Sequence, residues 1–241
     1  VTDEMNMDSQ ASEVASEAST PLPPFYKRFI DVFFNPGRLG QALKDHPVWF
    51  VAMLAGAVLA TAMYVLIPAD VWAEVQRQAL LRSGSQVQEI PAGAQTFVRL
   101  TRYIGGFIGI PISEFFFAGI VTLVFAFVLG DEGSYKQYLS LVSHAWLITM
   151  TVELLLVPLK INQGNPQATV SVGTFFFFLS DGYLLKALSL LALSKLWTSL
   201  VLAAGVHAVD PKRKFSTAAI VLIGLNVASA FIFAIFTPSV G

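Results

Sequence analysis

Cysteine is absent from all 241 residues, which excludes a disulfide framework, a thiolate nucleophile and a thiolate metal site together. Charge is scarce as well. Asp, Glu, Lys and Arg make up 13% of the chain against 55% hydrophobic residues, and the mean hydropathy is +0.65. A soluble domain is far more polar, with about a quarter of its residues charged. The first 24 residues have neither a basic residue nor an apolar core, only Asp3, Glu4, Asp8, Glu13 and Glu17, so no signal peptide is expected and the first apolar span is expected to serve as its own insertion signal. Catalytic signatures are missing too: there is no H-E-x-x-H, no G-x-x-x-x-G-K-[ST] and no G-x-S-x-G. Gly105-Gly106-Phe107-Ile108-Gly109 lacks the spacing and the preceding strand of a dinucleotide fingerprint, and Asp131-Glu132 has no further carboxylate nearby to complete an oxygen cage. No enzyme activity, metal or cofactor is expected. The net charge of −1 offers nothing to nucleic acid, which is not expected as a partner.

What is present is apolar length. Five stretches, near residues 48–67, 103–129, 138–159, 182–207 and 215–237, each approach the roughly 20 apolar residues that a helix needs to cross a bilayer. The expected fold class is therefore all-α, a polytopic membrane bundle of five transmembrane helices with short interfacial amphipathic helices. Its parts are an acidic, Pro-, Ser- and Ala-rich tail (1–24), cytoplasmic interfacial helices (25–47) and a membrane domain (48–237). With the N-terminus inside, Lys27, Arg28, Arg38, Lys44, Lys136, Lys212, Arg213 and Lys214 fall on the inner side and Arg77, Arg82, Arg99, Arg102 and Lys160 on the outer side. That bias, with the Lys212-Arg213-Lys214 cluster hard against two spans, predicts a cytoplasmic N-terminus and an external C-terminus.

The segments between spans have their own character. Phe25, Phe29, Val32 and Phe33 recur at helical spacing and predict a helix lying in the membrane interface, broken by Asn35-Pro36-Gly37 and followed by a shorter helix carrying Leu39, Ala42 and Leu43. Beyond Pro68, Asp70 can cap an amphipathic helix whose Trp72 suits the outer interface. The second span is expected to begin well outside the bilayer and to kink at Pro111. Gly130-Asp131-Glu132-Gly133-Ser134 reads as a tight hairpin. The loop 162–181 alternates Val170 and Val172 and then presents Phe175, Phe176, Phe177 and Phe178 in a row, which need cover from lipid, a re-entrant dip or a partner. Gly56 with Ala60, Gly105 with Gly109, and Gly224 with Ala228 have small-xxx-small spacing, read as packing within the bundle.

Glu114, Glu153, Lys186 and Lys195 lie inside predicted spans, where charges pair or line a wet cavity. Topology places Glu114, Glu153 and Lys186 in the outer third, as an expected ion-pair cluster, with Lys195 about 14 Å deeper on the opposite helix face. The alternative is a proton, ion or solute path through these groups. His144 and His207 fall toward the inner side. Each is read as hydrogen-bonded structure, with haem or pigment ligation as the alternative.

Several of these residues together resemble a known family: Phe33-Phe34-Asn35-Pro36-Gly37-Arg38 with Leu43 and Pro47-Val48-Trp49, then GDEGSYKQYL (130–139), then Leu196-Trp197 through Val206 followed by a short basic link. The pattern, over residues 25–237, is similar to the bacterial Yip-type membrane proteins, relatives of the eukaryotic Ypt/Rab-interacting proteins. The resemblance implies a five-span bundle with a cytoplasmic N-terminus and no catalytic residue. The eukaryotic relatives assist vesicle traffic by binding small GTPases and partner membrane proteins. The long 68–102 segment and the Phe175 to Phe178 run depart from the family pattern. With Phe25, Phe29, Phe33 and Trp72, they are the surfaces expected to meet lipid or another integral membrane protein of a larger complex. The function expected is that of a non-enzymatic accessory or scaffold subunit.

Overall fold

The computed structural model describes residues 21–82, 84 and 91–236. Residues 1–20 of the predicted tail lie outside them. The described chain is helical: α1 (Phe25–Phe34), α2 (Pro36–Asp45), α3 (Phe50–Leu66), α4 (Ala69–Arg82), α5 (Ala92–Thr122), α6 (Tyr135–Leu155), α7 (Val157–Asn162), α8 (Tyr183–Leu190), α9 (Leu193–Val209) and α10 (Phe215–Phe236). A π-helical stretch, Leu123–Val128, prolongs α5, and a 3₁₀ turn, Val172–Phe175, precedes α8.

Among the described residues, three helices are long and apolar enough to cross a membrane: α5 with its extension (Gly93–Val128), α6 and α10. Helix α3 passes only jointly with the first part of α4 (Ala69–Gln78), from which it is bent by 84°. The membrane-length count is thus three, or four with the bent pair, and five spans are not shown. Helix α5 starts well before the predicted position 103, in keeping with its expected overhang. Its 36 residues extend about 54 Å at 1.5 Å per residue, beyond the roughly 30 Å hydrocarbon core. The helix runs on through Pro111.

The stretch predicted as one span over 182–207 breaks at Leu191 and Ala192. Leu191 (φ −86°, ψ 75°) and Ala192 (φ −62°, ψ 136°) leave the helical region. The loop takes over their backbone pairing: the Val172 N–H donates to Leu191 O and the Leu193 N–H to Val170 O, both at 2.9 Å. Ser171 and Ala192 form an antiparallel bridge. The alternation of Val170 and Val172 was therefore a short extended segment, one that supplies the hydrogen bonds a broken helix in an apolar setting must find elsewhere.

Helices α1 and α2 belong to the bundle's core. Val32, Leu39, Ala42 and Leu43 are buried with Val142, Leu202, Val206 and Leu222. Helix α1 turns one face to the bundle, burying even Arg28 and Asp31, and leaves Tyr26, Ile30 and Phe34 exposed on the other. The contact between α2 and α9 admits no side chain at its centre: a Cβ on Gly40 would lie 2.9 Å from both Gly205 Cα and Ala208 Cβ. On its other side Gly205 meets α6, since a Cβ there would fall 2.5 Å from Leu141 Cδ2. Of the small-residue pairs, Gly56 and Ala60 are buried against neighbouring helices. Gly105, Gly109 and Gly224 face open space, so the other two pairs are not bundle contacts.

Candidate functional site

The motif residues meet at one end of the bundle. Gly130 takes the left-handed conformation (φ +75°), which favours glycine. Gly133 lies so close to Tyr138 that a Cβ would come within 2.5 Å of its Oη. Ser134 and Gln137 cap α6 reciprocally: the Ser134 N–H donates to Gln137 Oε1 at 2.8 Å and the Gln137 N–H to Ser134 Oγ at 3.4 Å. Two further bonds tie this turn to the link between α2 and α3. Gln137 Nε2 donates to Lys44 O at 2.9 Å and Ser140 Oγ to Val48 O at 2.8 Å.

The hairpin 130–134 is also clasped by the basic link 210–214. Arg213 forms a two-pronged pair with Asp131 and donates to Leu129 O at 2.9 Å, while Lys212 Nζ reaches Glu132 at 2.6 Å. Asp210 accepts from the N–H groups of Lys212 (2.9 Å) and Glu132 (3.1 Å). Burial pushes the Asp210 carboxyl upward. Those two amides and the charges of Lys212 and Arg213 outweigh it, so the group titrates below its ordinary value. A carboxyl depressed in the fold contributes stability that is complete above its unfolded value of about 3.9 and is lost as pH falls through the folded one. The protection factor of the Glu132 amide, taken against its intrinsic exchange rate at each pH, is expected to hold from neutral pH down to about pH 4 and to fall only below it. In Asp210→Asn this acid-dependent step should be missing.

His144 lies at the same end, fully buried. Its Nδ1 faces Ser140 O at 2.8 Å and its Nε2 faces Arg28 Nη1 at 2.9 Å. The carbonyl requires a proton on Nδ1, so Nε2 accepts from the guanidinium and both nitrogens are engaged within the protein. His207 Nδ1 donates to Arg213 O at 2.7 Å.

The four intramembrane charges do not assemble as expected. Glu153 pairs with Lys160 at 2.8 Å and accepts from Thr169 Oγ1 at 2.9 Å. Glu114 is buried on α5 beside Gly56, with neither carboxylate oxygen hydrogen-bonded among the described residues and no ion pair there. Lys186 is half-buried on α8, and Lys195 is exposed on α9. The reason for the correction is helical geometry. Lys160 follows Glu153 by seven positions, two turns, so both lie on one side even across the junction of α6 and α7. That spacing was legible in the sequence, but Lys160 was assigned to a connection.

At the opposite end, Lys160 organises the loop that follows it. Its ammonium also donates to Pro166 O (3.1 Å) and Ala168 O (2.7 Å). Further along, the Ser171 N–H donates to Thr174 Oγ1 at 3.1 Å. Gly173 packs so tightly on α8 that a Cβ would sit 2.5 Å from Ser189 Oγ. This base holds Phe175, Phe176, Phe177 and Phe178 outward at 60%, 36%, 85% and 69% exposure. Phe177 and Phe178 pack edge to face at 6.0 Å. The other surface residues divide. Phe25, Phe29 and Phe33 are half-buried and stack on one another at 6.5 and 5.6 Å. The exposed stripe of α1 is instead Tyr26, Ile30 and Phe34, offset by one position and missed because both faces of that helix are apolar. Trp72 is packed between Tyr64 (5.5 Å) and the Arg102 guanidinium (4.4 Å) rather than free at the surface.

Set beside known proteins, residues 30–236 match the family model described as Yip1 domain. No curated protein and no solved structure gives a significant match.

Proposed function

We propose that this chain, which belongs to the Yip1 domain family of generally non-enzymatic membrane trafficking proteins, is an accessory or scaffold subunit that binds another integral membrane protein. It is a multi-pass membrane protein and not an enzyme. The single observation that carries the reading is the phenylalanine loop. Four consecutive aromatic side chains stand exposed on a turn braced by Gly173, Ser171 and Lys160. A contiguous apolar patch held in one shape loses little conformational freedom on docking, which is what a recognition surface requires.

The five-span topology with a cytoplasmic N-terminus, in a bacterial inner membrane, is part of the same proposal. The basic clusters at 27–44 and 212–214 support the orientation. In the bundle the clasped motif end then faces the cytoplasm and the phenylalanine loop the outside. The acidic tail is proposed as a second contact.

The test is co-purification. The tagged chain, extracted from its native membrane in a mild detergent, is expected to elute with a larger membrane complex. Replacing Phe175, Phe176, Phe177 and Phe178 by Ser should reduce the recovered partner about tenfold or more, as loss of a central aromatic cluster does, while the variant's own thermal unfolding stays near that of the parent. Elution of the parent chain alone would overturn the reading.

A further inference from the structure

A second feature lies at the bend between α3 and α4, where a cavity of about 660 Å³ opens against the start of α5. We infer that this cavity binds the phosphate headgroup of an anionic membrane lipid, with Arg99 and Arg102 as its anchors. The inference is separate from the scaffold reading, because it concerns what α4 and α5 hold whether or not a partner docks elsewhere.

Charge makes the first part of the argument. Three arginines line the cavity, Arg77, Arg99 and Arg102, against the single carboxylate of Asp70 among the described lining residues. Arg77 is already committed, donating twice to Glu74 at 2.8 Å. Arg99 and Arg102 have no ion pair among the described residues. They sit three positions apart on one helix, so their like charges are neighbours, an arrangement that is unfavourable until an anion joins it. Arg102 is held in place by stacking on Trp72. A guanidinium fixed in this way presents a planar fork suited to phosphate oxygens.

Position and wall chemistry decide the kind of anion. Because α3 and α4 meet at 84°, a crossing α3 leaves α4 running nearly along the membrane plane, and the bend falls where the chain leaves the hydrocarbon. That is the depth of lipid phosphates. The rest of the wall is mixed: Ile67, Trp72, Leu80 and Val98 give it an apolar side, and Gln76, Gln95 and Tyr103 add uncharged polar groups. The apolar side suits the glycerol and upper acyl region of a lipid, a contact that a free inorganic anion cannot make. Basic pockets between membrane helices on the cytoplasmic side hold acidic headgroups by the same charge pairing, and here it is placed at the outer bend.

The experiment is native mass spectrometry of the full-length chain in a nonionic detergent, titrated with phosphatidylglycerol or phosphatidylcholine of equal acyl length. Phosphatidylglycerol is expected to bind about thirtyfold more tightly, since each basic residue near a membrane surface is worth about a factor of five. Arg99→Gln with Arg102→Gln should erase that preference, and Arg77→Gln should leave it. If the double variant does not fold, Arg99→Gln alone, at an exposed position, should lower the preference about fivefold. Equal binding of the two lipids, or an undiminished preference in the glutamine variants, would overturn the proposal. So would complete displacement of the lipid by millimolar inorganic phosphate, which would mark a site for free anions.

Discussion

Lys160→Met is expected to destabilise the protein by up to about 3–5 kcal/mol, the loss when one member of a buried ion pair is removed and the other keeps no counter-charge. Lys160 is 1% exposed and its ammonium satisfies three acceptors at once: Glu153, Pro166 O and Ala168 O. The methionine fills similar space, so the loss is electrostatic rather than a matter of volume. Unfolding of the detergent-solubilised protein by heat or denaturant measures it. Lys160→Met combined with Glu153→Leu should recover much of the loss, because replacing both partners by apolar groups removes the orphaned charge. Were the single substitution as stable as the parent, Lys160 would have no structural role. The same variant should also loosen the base of the phenylalanine loop, which limited proteolysis between residues 162 and 181 reports.

Gly205→Val is expected to be of comparable size. The new Cβ falls 2.5 Å from Leu141 Cδ2, while on the other side the Gly205 backbone already touches the place a Cβ of Gly40 would take. Overpacking of this kind costs about 1–3 kcal/mol where a neighbour can yield. Here α9 is confined between α2 and α6, so the upper end of that range is expected, with α2 displaced from the bundle. Thermal unfolding, together with cysteine-accessibility labelling of single-cysteine variants on α2, distinguishes displacement from general unfolding. Gly109→Val is the control. A Cβ there would meet nothing within 4 Å, so with no clash at this half-buried position the substitution is expected to cost less than about 0.5 kcal/mol. Equal losses in the two variants would mean that the clash is not what matters.

These glycines show where sequence reading stops. Gly105, Gly109, Gly56, Gly205 and Gly224 are alike as letters in apolar helices, and spacing alone nominated the 105/109 pair as readily as the 56/60 pair. Only the arrangement of helices distinguishes those that meet a neighbour from those that face outward. Gly130 is different, since a hairpin of Gly, Asp, Glu and Ser already implies a turn with a left-handed residue. The charges follow the same division. Sequence placed Glu114, Glu153, Lys186 and Lys195 inside apolar stretches and required a partner for them. It could not choose Lys160 for Glu153, because two helices joined at a bend share a face only if the bend preserves it. Arg28 entered the sequence reading only as one of the inner-side basic residues, and the fold carries it inward to His144.

Composition alone determined that this is a helical membrane protein without thiol chemistry, because apolar length and scarcity of charge act on any chain whatever its partners. The motif residues 33–38 and 130–139 were enough to point to the family. Which helices reach membrane length was decided by tertiary structure. Leu191 and Ala192 carry no proline or glycine to announce a break, and the helix ends there because residues 170–172 take over its backbone hydrogen bonds. Residues distant in the chain also build the cavity of Arg99 and Arg102 and the brace beneath Phe175 to Phe178. A sequence pattern reports each residue's preference for water or apolar surroundings, and contacts between distant segments arise only when those preferences are satisfied together in three dimensions.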